Sequence, residues 1–135
     1  MTPYDQLCAY TLSLHDDFFL HQLVVDAHCA QTATEATKPI ALVFALLSLY
    51  LSVERKISGR QIQRFHMQLA NLRLQWTRLA LPKDRGSITA DDVFTAAPGE
   101  ARNQAIHAWC ASVWTAYAPA RAEIVEIAAR HLDIT

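Results

Sequence analysis

The sequence predicts an all-α fold, a single-domain bundle of five to six helices over residues 1–135. Three observations carry this. Apolar residues recur at helical spacing in the longer segments, and no stretch alternates apolar with polar residues as a half-buried strand would. Cap-forming residues stand where the periodic segments begin. Only three glycines and five prolines occur, and 52% of the residues are hydrophobic, enough to fill one core.

Thr2-Pro3 reads as an N-cap followed by proline at the first helical position, opening a helix to about Leu14. His15-Asp16-Asp17 turns the chain, and either aspartate caps a second helix to about Thr32. Thr37-Lys38-Pro39 opens a third helix, Pro39 to Val53, which carries no charge. It would rise roughly 22 Å, short of the bilayer core's roughly 30 Å, so it is read as a core helix and not a membrane span. Arg55 and Lys56 suit the negative pole of its dipole.

Ser58-Gly59-Arg60-Gln61 resembles a capping box for a fourth helix, which the periodicity carries to residue 78. At about 100° per residue, Ile62, Phe65, Leu69, Leu72 and Trp76 share one side of it. Arg60, Arg64, Gln68, Asn71, Gln75 and Arg78 share the other. Leu81 to Ser87 is a loop, and Thr89 caps a short helix with Asp91 and Asp92 in its first turn. After Pro98-Gly99, Ile106, Trp109, Cys110, Val113, Trp114 and Tyr117 form an apolar stripe. Pro119 kinks or breaks the pattern before a last helix to about His131. All three tryptophans are thereby assigned to the core.

The formal net charge is −1, which argues against a polyelectrolyte binder. The charge is nevertheless uneven. Arg55, Lys56, Arg60, Arg64, Arg73, Arg78 and Lys83 fall in a stretch with no Asp or Glu, and the rest of the chain is net −8. Arg60, Arg64 and Arg78, within about 40° on one helical face, are the candidate binding residues. An acidic protein surface or a second copy of the chain suits them as partner better than nucleic acid, which the acidic remainder would repel.

Cys8, Cys29 and Cys110 form no C-x-x-C pair, and their number is odd, which argues against a disulfide framework or a structural zinc site. Free thiols point to a reducing compartment, most simply the cytoplasm. The opening MTPYDQLCAY has neither the basic region nor the apolar run of a signal peptide. No metal and no cofactor is expected. His21 and His28 are about 10.5 Å apart along a helix, too far to share an ion, and no H-x-x-x-H or E-x-x-H occurs.

Asp26 is the anomalous residue, a carboxylate in an otherwise mostly apolar helix. It is either a structural acid bonded to an Arg, a Trp N–H or a helix N-terminus, or a ligand-binding or general-base carboxylate beside His21 or His66. Asp26 and His21 point about 140° apart on one helix, so they form no pair by themselves.

Three strings, HQLVVDAHCAQ (His21 to Gln31), RGSITADDVFTA (Arg85 to Ala96) and WCASVWTAY (Trp109 to Tyr117), occur in this order around the apolar helix. Together they resemble a bacterial family known only as a domain of unknown function. The resemblance spans most of the chain, implies a helical fold and supplies no activity. Some members of that family begin with a C-x-x-C pair, where this chain has only Cys8.

Three functions follow as expectations. The first is a self-associating helical interaction protein without catalysis. The second is a small-molecule-binding bundle or enzyme with a pocket lined by His21, Asp26, His66 and the tryptophans. The third is a nucleic-acid accessory protein using helix 59–78. Convergence of His and Asp from different helices on one cavity would favour the second.

Overall fold

The computed structural model describes residues 1–16 and 19–134. Among these, all regular structure is helical: α1 (Pro3–Leu12), α2 (Phe19–Thr32), α3 (Pro39–Val53), α4 (Gly59–Leu72), α5 (Ala90–Thr95), α6 (Glu100–Ala116) and α7 (Arg121–His131), with a 3₁₀ turn at Ala118–Ala120. The described residues thus hold seven α-helices where five to six were expected. The six-residue α5 stands as a separate helix because Thr89 and Asp92 close a reciprocal capping box at its start. Pro119 breaks the chain, its ring fitting a 3₁₀ turn that ends α6 and lets α7 begin afresh.

The same cap physics starts α1. Thr2 Oγ1 accepts from Asp5 N–H and the Asp5 carboxylate returns the bond, with Pro3 where a missing N–H costs nothing. Asp16 Oδ2 accepts from Leu20 N–H at 3.0 Å at the entrance to α2. The alternative cap, Asp17, lies outside the described residues. Ser58 Oγ accepts from Gln61 N–H at 3.3 Å, half of the expected box.

Helix α3 is the centre of the bundle. It contacts α2, α4, α6 and α7, and Leu46, Leu47, Ser48, Leu49 and Leu51 are all fully buried. Its bounds are those expected, because Pro39 starts it and the first charge, Glu54, follows its last turn. Glu54 accepts from Trp114 Nε1 at 2.6 Å and from the Arg121 guanidinium, tying the exit of α3 to α6 and α7. Arg121 holds the Glu54 carboxyl down at about 2.

The C-terminal end of α2 would leave carbonyls without partners, and residues far along the chain supply them. Tyr117 Oη donates to Ala30 O at 2.5 Å. The Arg85 guanidinium donates to the carbonyls of Gln31, Ala33 and Pro82. The Gln31 side chain donates to Arg85 O and Ile88 O and accepts from Trp109 Nε1. On the far side, Arg102 is a buried cation that donates to Phe94 O and Ala96 O and lies 4.6 and 4.3 Å from the Tyr10 and Phe94 ring centroids.

Helix α4 is shorter than its periodicity. It ends at Leu72 because Arg73 takes a left-handed conformation (φ 53°), and the chain runs on without helix to residue 80. Ile62, Phe65 and Leu69 are buried as expected, but Leu72 is half exposed. Trp76 leaves the helix, sits half-buried, and meets Phe44 edge-on at 5.3 Å. Trp109 and Trp114 are in the core. Iodide is therefore expected to quench Trp76 and leave Trp109 and Trp114 shielded, so that Trp76→Phe removes most of the quenchable fluorescence. Equal quenching before and after that substitution would contradict the placement.

Candidate functional site

A cleft of about 640 Å³ opens where α2, α3 and α4 meet, with α6 at its rim. Its inner wall is polar. Asp26 of α2 is 5% exposed and Ser48 of α3 is fully buried, and both line it. His66 of α4 joins them, its Nε2 3.0 Å from Ser48 Oγ. Leu20, Leu23, Ile57 and Ile62 form apolar walls, and the exposed Met67 and His107 stand at the rim. Gly59, at the start of α4, also lines the cleft. A Cβ there would lie 2.4 Å from Phe19 Cγ, so glycine lets the first turns of α4 and α2 come together.

Each polar group has a definite electrostatic setting. Asp26 Oδ1 accepts from Gln22 Nε2 at 3.0 Å, one turn earlier on α2, while Oδ2 is buried without a hydrogen-bond partner. Burial pushes the carboxyl up to about 7, and the neighbouring Ser48 hydroxyl and Gln22 amide restrain the rise. Burial also lowers His66, against a hydrogen bond to the Phe44 backbone that favours its charged form. Near neutrality the inner wall therefore holds a neutral imidazole and a carboxyl close to its titration point.

The structure brings together two of the three pocket residues read from the sequence. Asp26 and His66 share the cleft; His21 does not line it. On α2 the roughly 140° between His21 and Asp26 turns the imidazole toward α1, where Nδ1 lies 2.9 Å from Thr11 Oγ1. The tryptophans do not line the cleft either. The structural partners considered for Asp26, an Arg, a Trp N–H or a helix N-terminus, are not its hydrogen-bond partners: Trp109 and Trp114 are engaged by Gln31 and Glu54. Ser48 was not singled out from the sequence, because a serine inside an apolar helix carries no periodic signal. The signal that could have found it was its position as an uncharged polar residue in a run of leucines.

The basic face is also altered. Arg60 and Arg64 lie on α4 and are exposed, but Arg78 is not on the helix. Its guanidinium donates to Glu35 O and Thr37 O, pinning the loop between α2 and α3. The proposed row of three arginines is thus two on a helix and one in a loop, since Arg73 ends the helix. Among the described residues, no group of three or more His, Cys, Asp or Glu side chains is placed to hold a metal ion. His28 stacks on Tyr4 at 3.6 Å. Burial raises the Cys29 thiol and pushes that of Cys110 up to about 12, away from nucleophilic use.

A family model, DUF5946, matches residues 2–118. The chain belongs to this family of unknown function. No curated protein and no solved structure matches it. In this DUF5946 chain the three strings that carry the resemblance meet in space. Gln31 of the first binds Arg85 and Ile88 of the second and Trp109 of the third, and Tyr117 binds Ala30. Asp26 belongs to the first string, one to two turns from this junction, so the junction that ties the DUF5946 strings together also anchors the helix bearing the cleft's carboxylate.

Proposed function

We propose that the protein binds a small molecule in the cleft between α2, α3 and α4, as one helical domain. The observation that carries the reading is Asp26: a buried carboxylate oxygen without a donor, at the inner wall of a cleft of ligand size, beside an imidazole from another helix. A purely structural carboxylate would have its donors within the fold. The full burial of Ser48 and the raised thiols of Cys29 and Cys110 support binding over nucleophilic catalysis at these residues. No helix among the described residues is long and apolar enough to cross a membrane. The free thiols support residence in a reducing compartment such as the cytoplasm. Self-association is the second reading, supported by the charge asymmetry of the sequence, with the exposed Arg64 facing acidic groups of a second copy.

The test is a ligand-observed NMR screen with a mixed library of cationic, neutral and anionic fragments. Leu23→Trp, at a half-buried wall position, fills the cleft and serves as the blocked control. Fragments are expected to bind the native protein and to lose binding in a Leu23→Trp protein that still melts cooperatively. Absence of hits, or hits indifferent to the blocked cleft, would overturn the reading.

A further inference from the structure

The geometry points to an organic cation, an ammonium group carried on an apolar body, as the ligand class of this cleft; the inference rests on the cleft being the binding site. Two carboxylates, Asp16 and Asp26, line it, and no Lys or Arg does among the described lining residues. Asp26 already receives one donor, from Gln22, and its second oxygen has none. A ligand that brings donors completes it. One that brings only acceptors leaves it unpaired.

The other polar groups of the inner wall bring no positive charge. The Ser48 hydroxyl lies 3.0 Å from His66 Nε2 and close enough to Asp26 to restrain its carboxyl, and burial disfavours the charged form of His66, so the wall contains no cation to neutralise Asp26. An ammonium is a donor-only group with three N–H bonds, and a hydrogen bond between two charged partners in a partly desolvated site is stronger than one between neutral groups. The apolar body follows from Leu20, Leu23 and Ile62, which line the same cleft as Asp26. An anion of the same shape would meet the Asp26 carboxylate instead. The ionisable side chains lining the cleft are Asp16 from the turn before α2, Asp26 on α2, His66 on α4 and His107 on α6. The Cys29 and Cys110 thiols also feel the Asp26 charge, but they are held neutral by burial.

Three probes of one shape separate these cases: 2-phenylethylammonium, 2-phenylethanol and 3-phenylpropanoate, titrated calorimetrically at about pH 8, where Asp26 is ionised. The ammonium is expected to bind about tenfold or more tightly than the alcohol, and the carboxylate most weakly. Asp26→Asn should erase the preference for the ammonium over the alcohol. A measurement on the native protein stands beside the variant: at about pH 5, with Asp26 protonated, the preference should collapse as well. The carboxylate probe reports any added attraction from a protonated His66.

An ammonium that binds no more tightly than the alcohol would overturn the ligand class and leave the cleft reading standing. So would a preference that survives both Asp26→Asn and acid. If none of the three binds, the charge of the Leu23-dependent fragments decides: cations support the inference, and neutral or anionic fragments overturn it. Without any such fragment the cleft reading fails, and this inference fails with it.

Discussion

Leu46→Asp is expected to destabilise the protein by about 6 kcal/mol, which matches the low end of a typical domain stability of about 5–15 kcal/mol and should leave much of the protein unfolded or close to its melting point at room temperature. The magnitude follows from two costs. Leu46 is fully buried on the central helix, so its removal forfeits packing worth roughly 2–3 kcal/mol. The introduced carboxyl must then either ionise in the core or stay protonated near neutrality. Staying neutral about three units above its ordinary value costs about 4 kcal/mol, at about 1.4 kcal/mol per unit, whatever the local dielectric. Leu47→Asp should behave alike. Ile40→Asp on the same helix is the control: Ile40 is partly exposed in the first turn, where a negative charge meets the positive end of the helix dipole. Urea melts that place Leu46→Asp near the native protein, or Ile40→Asp far below it, would contradict the burial of α3.

Asp26→Asn is expected to stabilise the ligand-free protein above neutral pH while removing its affinity for a cation. The folded-state carboxyl titrates at about 7, above its ordinary value of 3.8, so the folded protein holds a proton that the unfolded chain has released. Stability from this group is therefore fully present below about pH 4, is lost as the pH rises toward 7, and changes little beyond. At about pH 8 the asparagine variant should be more stable by roughly 1–3 kcal/mol, and at about pH 4 the two should agree within about 1 kcal/mol. His66 acts in the opposite sense, since its lowered value removes stability as the pH falls through the imidazole range. Taking the difference between variant and native protein cancels that contribution. A difference that is constant across pH, or largest in acid, would show that Asp26 carries no buried charge.

These two residues also mark what the sequence made legible. Helix α3 was readable to its ends because proline at one end, charge at the other and nothing polar enough to be exposed between them leave one solution. Asp26 was readable as an anomaly because a lone carboxylate in an apolar helix always has to be explained. His66 was named as one of two candidate neighbours, but which of His21 and His66 would share its cleft was not legible, since nothing local says which face of α4 opposes which face of α2. The end of α4 misled for a definite reason. Leu72 and Trp76 continue the apolar period, yet Arg73 turns left-handed without the glycine or asparagine that ordinarily announces it. Tertiary contacts, Trp76 against Phe44 and Arg78 on the α2–α3 loop, go with the extended path. Arg102 was passed over because a buried arginine served only by carbonyls and rings leaves no paired acid to find.

The junction at the end of α2 bears on how the chain is made. During synthesis α2 emerges early, but the groups that receive its last carbonyls and the Gln31 amide arrive much later, with the separation in sequence reaching 87 residues for Tyr117 and Ala30. Until α6 has cleared the ribosome, the nascent segment has hydrated carbonyls at one end and an apolar α3 without its cover. Contacts of such long range make closure of the bundle a late event in translation, with the leucine-rich helix uncovered in the interval. A chain interrupted before Trp109 is therefore expected to be cut by protease more readily than the full chain, even though it already contains every residue of α2, α3 and α4 that lines the cleft.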